Sequence, residues 1–180
     1  MKRLCLMTLI FVAATVPARA NYGAGDPREP AMKHLNIKHV SSRVFIGTYL
    51  GGRTKLIRFT ATFYDSVPWN RIKSPSVHFF MDTLKGTRSG EYVVEFFRLK
   101  LIGERARFHC WLERLGGRLI LPDNEMADYS KTNHSVTCTF PKAAMKVRPS
   151  GVVRWNVLAH YGNFNFDNAP NKLDAWFPHV

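Results

Sequence analysis

The sequence predicts an all-β protein, a single antiparallel β-sandwich with a jelly-roll-like arrangement of strands. Apolar and polar residues alternate with a period of two from about residue 35 to the end of the chain. Glycine-containing turns separate the alternating segments, and no long stretch places apolar residues at helical spacing. Short strands between such turns favour an antiparallel sandwich over a parallel sheet with crossover helices.

The alternation is clearest in residues 55–65 (KLIRFTATFYD), 76–83 (SVHFFMDT) and 152–161 (VVRWNVLAHY). Each segment is predicted to be a strand with one buried face. The predicted core positions in these strands are Ile57, Phe59, Ala61, Phe63, Val77, Phe79, Met81, Val153, Trp155, Val157, Ala159 and Tyr161.

The amino terminus has the layout of a secretory signal peptide. Lys2 and Arg3 precede an apolar run over residues 4–16, and small residues flank Arg19 at the predicted cleavage site after Ala20. This run is too short to span a bilayer, which takes about 20 apolar residues. We therefore predict a secreted protein, extracellular or associated with a cell wall, with no membrane span.

The predicted organisation is a signal peptide at residues 1–20, a loose arm rich in glycine and proline at 21–34, and the sandwich domain at 35–180. Cleavage would leave 160 of the 180 residues, which is the usual size of one domain. We expect a monomer.

The chain is strongly basic. Its formal net charge is +13, and loss of Lys2, Arg3 and Arg19 would leave +10. Outside a cell, such a surface attracts an anionic polysaccharide or cell-wall polymer. The alternative is a solvated surface that only keeps the protein soluble. No motif for specific nucleic-acid recognition and no cofactor is expected.

Two cysteines remain after residue 20, and both fall on the apolar face of a predicted strand. Cys110 alternates with polar residues in ARFHCWL, as Cys138 does in SVTCTFP. Because thiols in an oxidising compartment tend to pair, we predict a disulfide between them. It would close a loop of about 28 residues and stabilise the fold by roughly 3 kcal/mol. The alternative is a pair of free buried thiols that act as small hydrophobic groups.

Catalytic signatures are weak in this chain. The segment GTRSG at residues 86–90 lacks the serine position of a nucleophile elbow and is interpreted as a turn. The histidines occur singly, so no zinc site and no other metal site is expected. A hydrolase built on a carboxylate pair or a Ser-His pair stays open as an alternative, as does an interaction or inhibitor protein. The carboxylates available for such chemistry are Asp65, Asp82, Glu91, Glu95, Glu104 and Glu113.

The strongest functional pattern is a group of basic and aromatic residues. Arg98, Lys100, Arg105 and Arg107 flank a predicted turn at Gly103, and Arg107 shares a strand face with Trp111. Basic groups beside an aromatic ring suit a sugar or polyanion surface. Trp69 falls in a predicted loop, where its ring would either grip a sugar or plug one end of the sandwich. The leading hypothesis is therefore a non-catalytic module that binds an extracellular or cell-wall glycan or polyanion.

Short motifs spread over nearly the whole mature chain carry a resemblance: Asp26-Pro27, Leu35-Asn36-Ile37, Met81-Asp82-Thr83, Arg154-Trp155, and Asp167 with Ala169-Pro170-Asn171. The chain resembles small secreted β-sandwich proteins of high-GC Gram-positive bacteria, mostly of unassigned function. It is more distantly similar to family 9 carbohydrate-binding modules.

The resemblance implies a sandwich fold and extracellular ligand binding. In the carbohydrate-binding modules an acidic residue is expected where Asn36 stands, and acidic turns follow the equivalent of Met81-Asp82-Thr83. Lys85 and Arg88 occupy that turn in this chain. The resemblance therefore predicts neither calcium nor that family's sugar site.

Overall fold

Two antiparallel sheets pack against each other in the computed structural model, which describes residues 21–28, 34–83, 91–100, 105–145, 154–162 and 165–169. The predicted all-β sandwich is confirmed. The strands are β1 (Asn21–Gly25), β2 (Ile37–Tyr49), β3 (Gly52–Phe63), β4 (Ser76–Asp82), β5 (Tyr92–Leu99), β6 (Arg107–Arg114), β7 (Arg118–Leu121), β8 (Asp128–Lys131), β9 (Ser135–Pro141), β10 (Arg154–Tyr161) and β11 (Asn165–Ala169).

The smaller sheet has the strand order β1-β2-β3-β9-β8, and the larger sheet has the order β11-β10-β4-β5-β6-β7. Short 3₁₀ helices at Asp123–Glu125 (η1) and Lys142–Met145 (η2) lie next to the strands that carry the chain between the sheets. Within the part of the chain that the structure describes, no helix is long and apolar enough to cross a membrane.

Side chains from both sheets meet in a core of aromatic and aliphatic residues. Phe59 of β3 lies 5.5 Å from Phe79 of β4 and 5.2 Å from Trp155 of β10, measured between ring centroids. All three side chains are fully buried. The period of two seen in the sequence therefore separates the core from the outer faces of both sheets, as a sandwich requires.

The predicted disulfide between Cys110 and Cys138 is confirmed. Cys110 lies in β6 opposite Phe96, and Cys138 lies in β9 opposite Phe59. The bond therefore joins the larger sheet to the smaller one through the centre of the core. Both cysteines are fully buried.

Polar residues of the resemblance motifs form bonds between neighbouring strands. The Asp167 carboxylate in β11 accepts the backbone N–H of Ile37 in β2 at 2.6 Å, which links the two sheets. Arg154 of β10 forms an ion pair with Asp82 of β4. These contacts give the motif residues a structural role, because they join strands of the sandwich. The buried polar motif residues are Asp26, Asn36, Asp82 and Asp167.

Two segments, one after residue 20 and one near the carboxyl end, differ from expectation. The expected loose arm is wrong for Asn21–Gly25, which form an edge strand paired with β2. The sequence showed no period of two after Gly162, yet Asn165–Ala169 pair with β10 as a further edge strand. A partner strand with free N–H and C=O groups holds both short segments by backbone hydrogen bonds, which side-chain patterns do not report. The predicted signal peptide lies outside the described residues.

Candidate ligand-binding face

Aromatic and polar side chains share the outer face of the larger sheet. The residues of β10, β4, β5 and β6 that alternate with the core positions point to this side. We call it the aromatic face and define it by Ser76, His78, Phe80, Glu95, Phe97, His109, Trp111 and His160. Most of these side chains are half-buried, and Ser76 is 5% exposed.

Trp111 is held in place by two contacts on this face. Its indole N–H donates to Glu95 Oε2 at 3.1 Å, across the β5–β6 pair. Its ring lies 4.3 Å from the ring of Phe97, with an angle of 53° between the planes. Phe97 also stacks on His109 at 5.7 Å. The hydrogen bond and the ring contact together fix the orientation of the indole.

Glu95 is also the end of a hydrogen-bonded chain that crosses from β5 into β4. His78 Nδ1 lies 3.0 Å from Glu95 Oε1, and His78 Nε2 lies 2.7 Å from the hydroxyl oxygen of Ser76. An ionised carboxylate only accepts, so we assign the proton to Nδ1. In neutral His78, Nε2 then accepts the Ser76 hydroxyl. We call Ser76, His78, Glu95 and Trp111 the polar relay.

The relay and its neighbours shift the pKa values of three groups. The hydrogen bond from His78 is the main cause that lowers the pKa of Glu95 below its usual value. Burial lowers the pKa of His160, whose ring stacks on His78 at 5.2 Å. Burial and the charge of Glu95 raise the pKa of Glu113, farther along β6. Glu95 therefore remains a charged acceptor at neutral pH, and His160 remains a neutral ring.

Ser76, His78 and Glu95 follow the donor–acceptor order of a serine hydrolase triad. Their setting differs from that of a nucleophile. Ser76 lies in β4, opposite His160 on one side and Phe97 on the other, so its backbone belongs to ladders with both neighbouring strands. A triad serine normally sits at a turn beside unpaired N–H groups that bind the oxyanion. The polar relay is therefore suited to orient Trp111 and is poorly suited to activate Ser76 as a nucleophile.

The structure separates the predicted basic residues. Arg107 is exposed and lies on the aromatic face with Trp111, as the sequence pattern predicts. Arg98 lies opposite Phe108, on the other side of the sheet, and donates to the carbonyl oxygen of Asn70 at 3.1 Å. Arg98 and Arg107, which flank the predicted turn at Gly103, therefore lie on opposite sides of the sheet. Lys100 and Arg105 are exposed and flank residues 101–104, which lie outside the described residues.

Trp69 does not offer an exposed ring. It is 3% exposed, and its indole N–H donates to the carbonyl oxygen of Thr132 at 2.6 Å. Its ring makes an edge contact with Phe108 at 5.7 Å. The ligand-binding role predicted for Trp69 is therefore wrong, and the alternative role, a plug at one end of the sandwich, describes its position.

The sequence pattern missed most of the aromatic face. Ser76, His78, Glu95, Phe97 and His160 come from β4, β5 and β10, and β4 pairs with β10 across more than 70 residues of intervening chain. Alternation placed His78 and His160 on outward faces, but nothing local shows that these strands are neighbours. The available signal was weak: His78 beside Phe80 on the outward face of β4, Glu95 beside Phe97 on that of β5, and a single histidine, His160, on that of β10.

Comparisons with known proteins give no relatives: no family model, curated protein or solved structure matches the chain.

Proposed function

We propose that the protein is a non-catalytic binding module whose aromatic face binds an extracellular glycan. The observation that carries this proposal is the fixed indole of Trp111, bonded to Glu95 and packed on Phe97. A ring that is already oriented loses little conformational freedom when a ligand stacks on it. Ligand sites commonly combine aromatic surfaces with a few placed polar groups.

The polar groups around Trp111 suit the hydroxyl groups of a sugar. A pyranose ring has an apolar C–H face, which would lie against the indole, and a rim of hydroxyl groups that donate and accept. Arg107 and His109 precede Trp111 on the same side of β6, and Glu113 follows it. These side chains supply donors and an acceptor within one strand length of the ring.

The charges of this face favour a glycan of low net charge. Glu95 and Glu113 offset Arg107, and Asp82 pairs with Arg154 at the end of the same face. A polyanion is attracted by an excess of cations, which this face lacks. The basic residues that make the chain strongly cationic lie mainly elsewhere. The charges of this face therefore favour a glycan over a polyanion as its ligand.

The test is an affinity measurement on soluble plant, fungal and bacterial cell-wall glycans, with Trp111→Ala and Phe45→Ala compared side by side. Phe45 is a half-buried aromatic residue of the smaller sheet, so its removal is a matched control. Loss of one stacking ring should weaken binding by about tenfold to a hundredfold. Phe45→Ala should bind as the unchanged protein does.

The salt dependence of binding distinguishes a glycan ligand from a polyanion. Binding to an uncharged glycan should change by less than about twofold between roughly 0.1 M and 0.5 M salt, because few charges are screened. A steep loss of affinity with salt, unaffected by Trp111→Ala, would show polyanion binding elsewhere on the surface. That result, or no binding to any glycan, would contradict the proposal.

A secreted hydrolase is the second candidate function, because Ser76, His78 and Glu95 are connected in triad order. The burial of Ser76 and its position inside a paired strand weigh against it. Labelling by a serine-directed probe decides between the two functions.

A further inference from the structure

The β2–β3 hairpin extends beyond the strands that flank it. Among the described residues, which begin at Asn21, β1 pairs with β2 as far as Arg43, and β9 pairs with β3 from Leu56 onward. The hairpin pairing itself continues to Tyr49 and Gly52. Within the described part of the chain, residues 46–55 therefore pair only with each other, and we call them the two-stranded ribbon.

A leucine occupies the tip of this ribbon in an unfavourable conformation. Leu50 has φ 48° and Gly51 has φ 79°, so both central residues of the turn are left-handed, as in a type I′ turn. Asn, Asp and Gly are the residues that suit this turn. Leu50 is nevertheless 85% exposed. Strain and exposure both disfavour leucine here in water, and entry of the side chain into an apolar phase would offset them.

Cations flank the apolar tip. Ile46 is 59% exposed and lies opposite Lys55 in the hairpin, and Thr48 lies opposite Arg53. Lys55 and Arg53 are both exposed. One side of the ribbon therefore carries an isoleucine and two cations directly below Leu50.

The β6–β7 turn repeats this composition. Leu115 is 43% exposed and Leu119 is 48% exposed, and the exposed residues Arg114 and Arg118 precede them. Among the described residues, the exposed large apolar side chains are Ile46, Leu50, Leu115 and Leu119. Each of the two hairpins thus combines leucine with flanking cations.

Both hairpins lie at the same end of the sandwich. Lys131, which is opposite Val136 in β9, contacts the ring of Phe108 in β6 at 4.7 Å. The disulfide joins Cys110 of β6 to Cys138 of β9, and the Lys131 contact brings the beginnings of these two strands together. β6 and β9 therefore run in the same direction, so Arg114 and Pro141 lie at the same end of the sandwich. Pro141 lies opposite Leu56, at the base of the two-stranded ribbon.

We propose that this end of the sandwich docks on an anionic lipid bilayer, with Leu50 and Ile46 inserted among the lipids and the flanking cations against the phosphate groups. Apolar side chains ringed by Lys and Arg match the two layers of such a surface, an apolar interior below a negatively charged plane. This docking goes beyond glycan binding and uses a different part of the molecule.

The test is cosedimentation with vesicles of phosphatidylcholine, with and without about one quarter phosphatidylglycerol. The protein is purified after export, so that any cleaved leader is absent. Binding should require phosphatidylglycerol. Leu50→Asn should weaken binding by about tenfold or more, because the inserted side chain is lost. Leu50→Met, which stays apolar, should bind like the unchanged protein.

Charge variants provide the second matched pair. Lys55→Glu should weaken binding by about fivefold or more. Lys38→Glu makes the same change in charge at an exposed site at the other end of the hairpin, and binding should then stay within about twofold. Trp111→Ala should leave vesicle binding unchanged, which separates this proposal from the glycan site.

The melting temperature of each variant shows whether misfolding is the cause of lost binding. Asn suits the type I′ turn, so Leu50→Asn should raise the melting temperature by about 2–4 °C while it weakens vesicle binding. In a Leu50→Trp variant, lipids brominated in the acyl chain should quench the new fluorescence. Equal binding by Leu50→Asn and the unchanged protein, or no quenching, would overturn the proposal. Absence of binding to every vesicle would also overturn it and would favour a protein partner at this end.

Discussion

Glu95 and Trp111 are joined across β5 and β6 by a hydrogen bond of 3.1 Å from the indole N–H to the carboxylate. The other oxygen of the same carboxylate lies 3.0 Å from His78 Nδ1. One half-buried carboxylate thus receives two donors and fixes both rings. The two hydrogen bonds stabilise its charge, which allows an acidic group to lie among aromatic side chains.

Glu95→Gln should destabilise the protein and weaken glycan binding. A glutamine has one acceptor oxygen where the carboxylate has two, so either His78 or Trp111 loses its acceptor. We expect the free energy of unfolding in urea at neutral pH to fall by about 1–3 kcal/mol. Glu113→Gln, on the same face, is the control and should change stability by less than about 0.5 kcal/mol. Equal losses of stability in the two variants would contradict the role given to Glu95.

Stability should fall in two stages as the pH is lowered. Burial, followed by the charge of His78, lowers the pKa of His160 below its usual 6.5. The unfolded chain therefore takes up this proton at a higher pH than the folded protein, and stability decreases as pH falls below about 6.5. The hydrogen bond from His78 lowers the pKa of Glu95 below its usual 4.5. A second loss should therefore begin below about pH 4.5.

Urea denaturation at a series of pH values measures both stages. His160→Gln should flatten the upper stage and leave the lower one, because glutamine does not titrate. Glu95→Gln should flatten the lower stage. If stability rises as the pH is lowered from 6.5, or if His160→Gln leaves the upper stage unchanged, the assignment of these groups is wrong.

Removal of the disulfide should cost much of the stability. The bond closes a loop with a sequence separation of 28 residues, for which loop closure predicts roughly 3 kcal/mol. Denaturation of the oxidised protein with and without dithiothreitol measures this difference. The double variant Cys110→Ala, Cys138→Ala should be insensitive to the reductant. Two titratable thiols in the unreduced, denatured protein would contradict the bond.

Ser76 should not react as a nucleophile. Although its hydroxyl is bonded to His78, the residue is 5% exposed and lies within a paired strand. We expect no labelling by a fluorophosphonate probe, with Ser76→Ala as the control for background labelling. Labelling of the unchanged protein that is absent in Ser76→Ala would establish the hydrolase instead and would displace the binding function.

The sequence was sufficient for the sandwich and its disulfide because both depend on the alternation of side chains along single strands. Phe59, Phe79 and Trp155 are recognisable as core residues one strand at a time, and Cys110 and Cys138 lie on core faces for the same reason. The edge strands β1 and β11 were missed because their pairing is made by the backbone.

The candidate site depends on which strands are neighbours, and this information is absent from local patterns. His78 meets Glu95 because β4 pairs with β5, and it meets His160 because β4 also pairs with β10. Trp111 was found because its own strand carries the signal. A loop position in the sequence predicts exposure of Trp69, whereas the loop folds back over the end of the core and buries the ring.

The most direct test of glycan binding follows the indole N–H of Trp111 in a ¹H–¹⁵N NMR spectrum while a soluble glycan is added. This proton bonds to Glu95, so its chemical shift reports contact with the ring and change in the relay. We predict a saturable shift of this signal and of backbone signals along β5 and β6, with the indole signals of the buried Trp69 and Trp155 nearly unchanged. Binding of a glycan that leaves the Trp111 signal in place would contradict the assignment of the site.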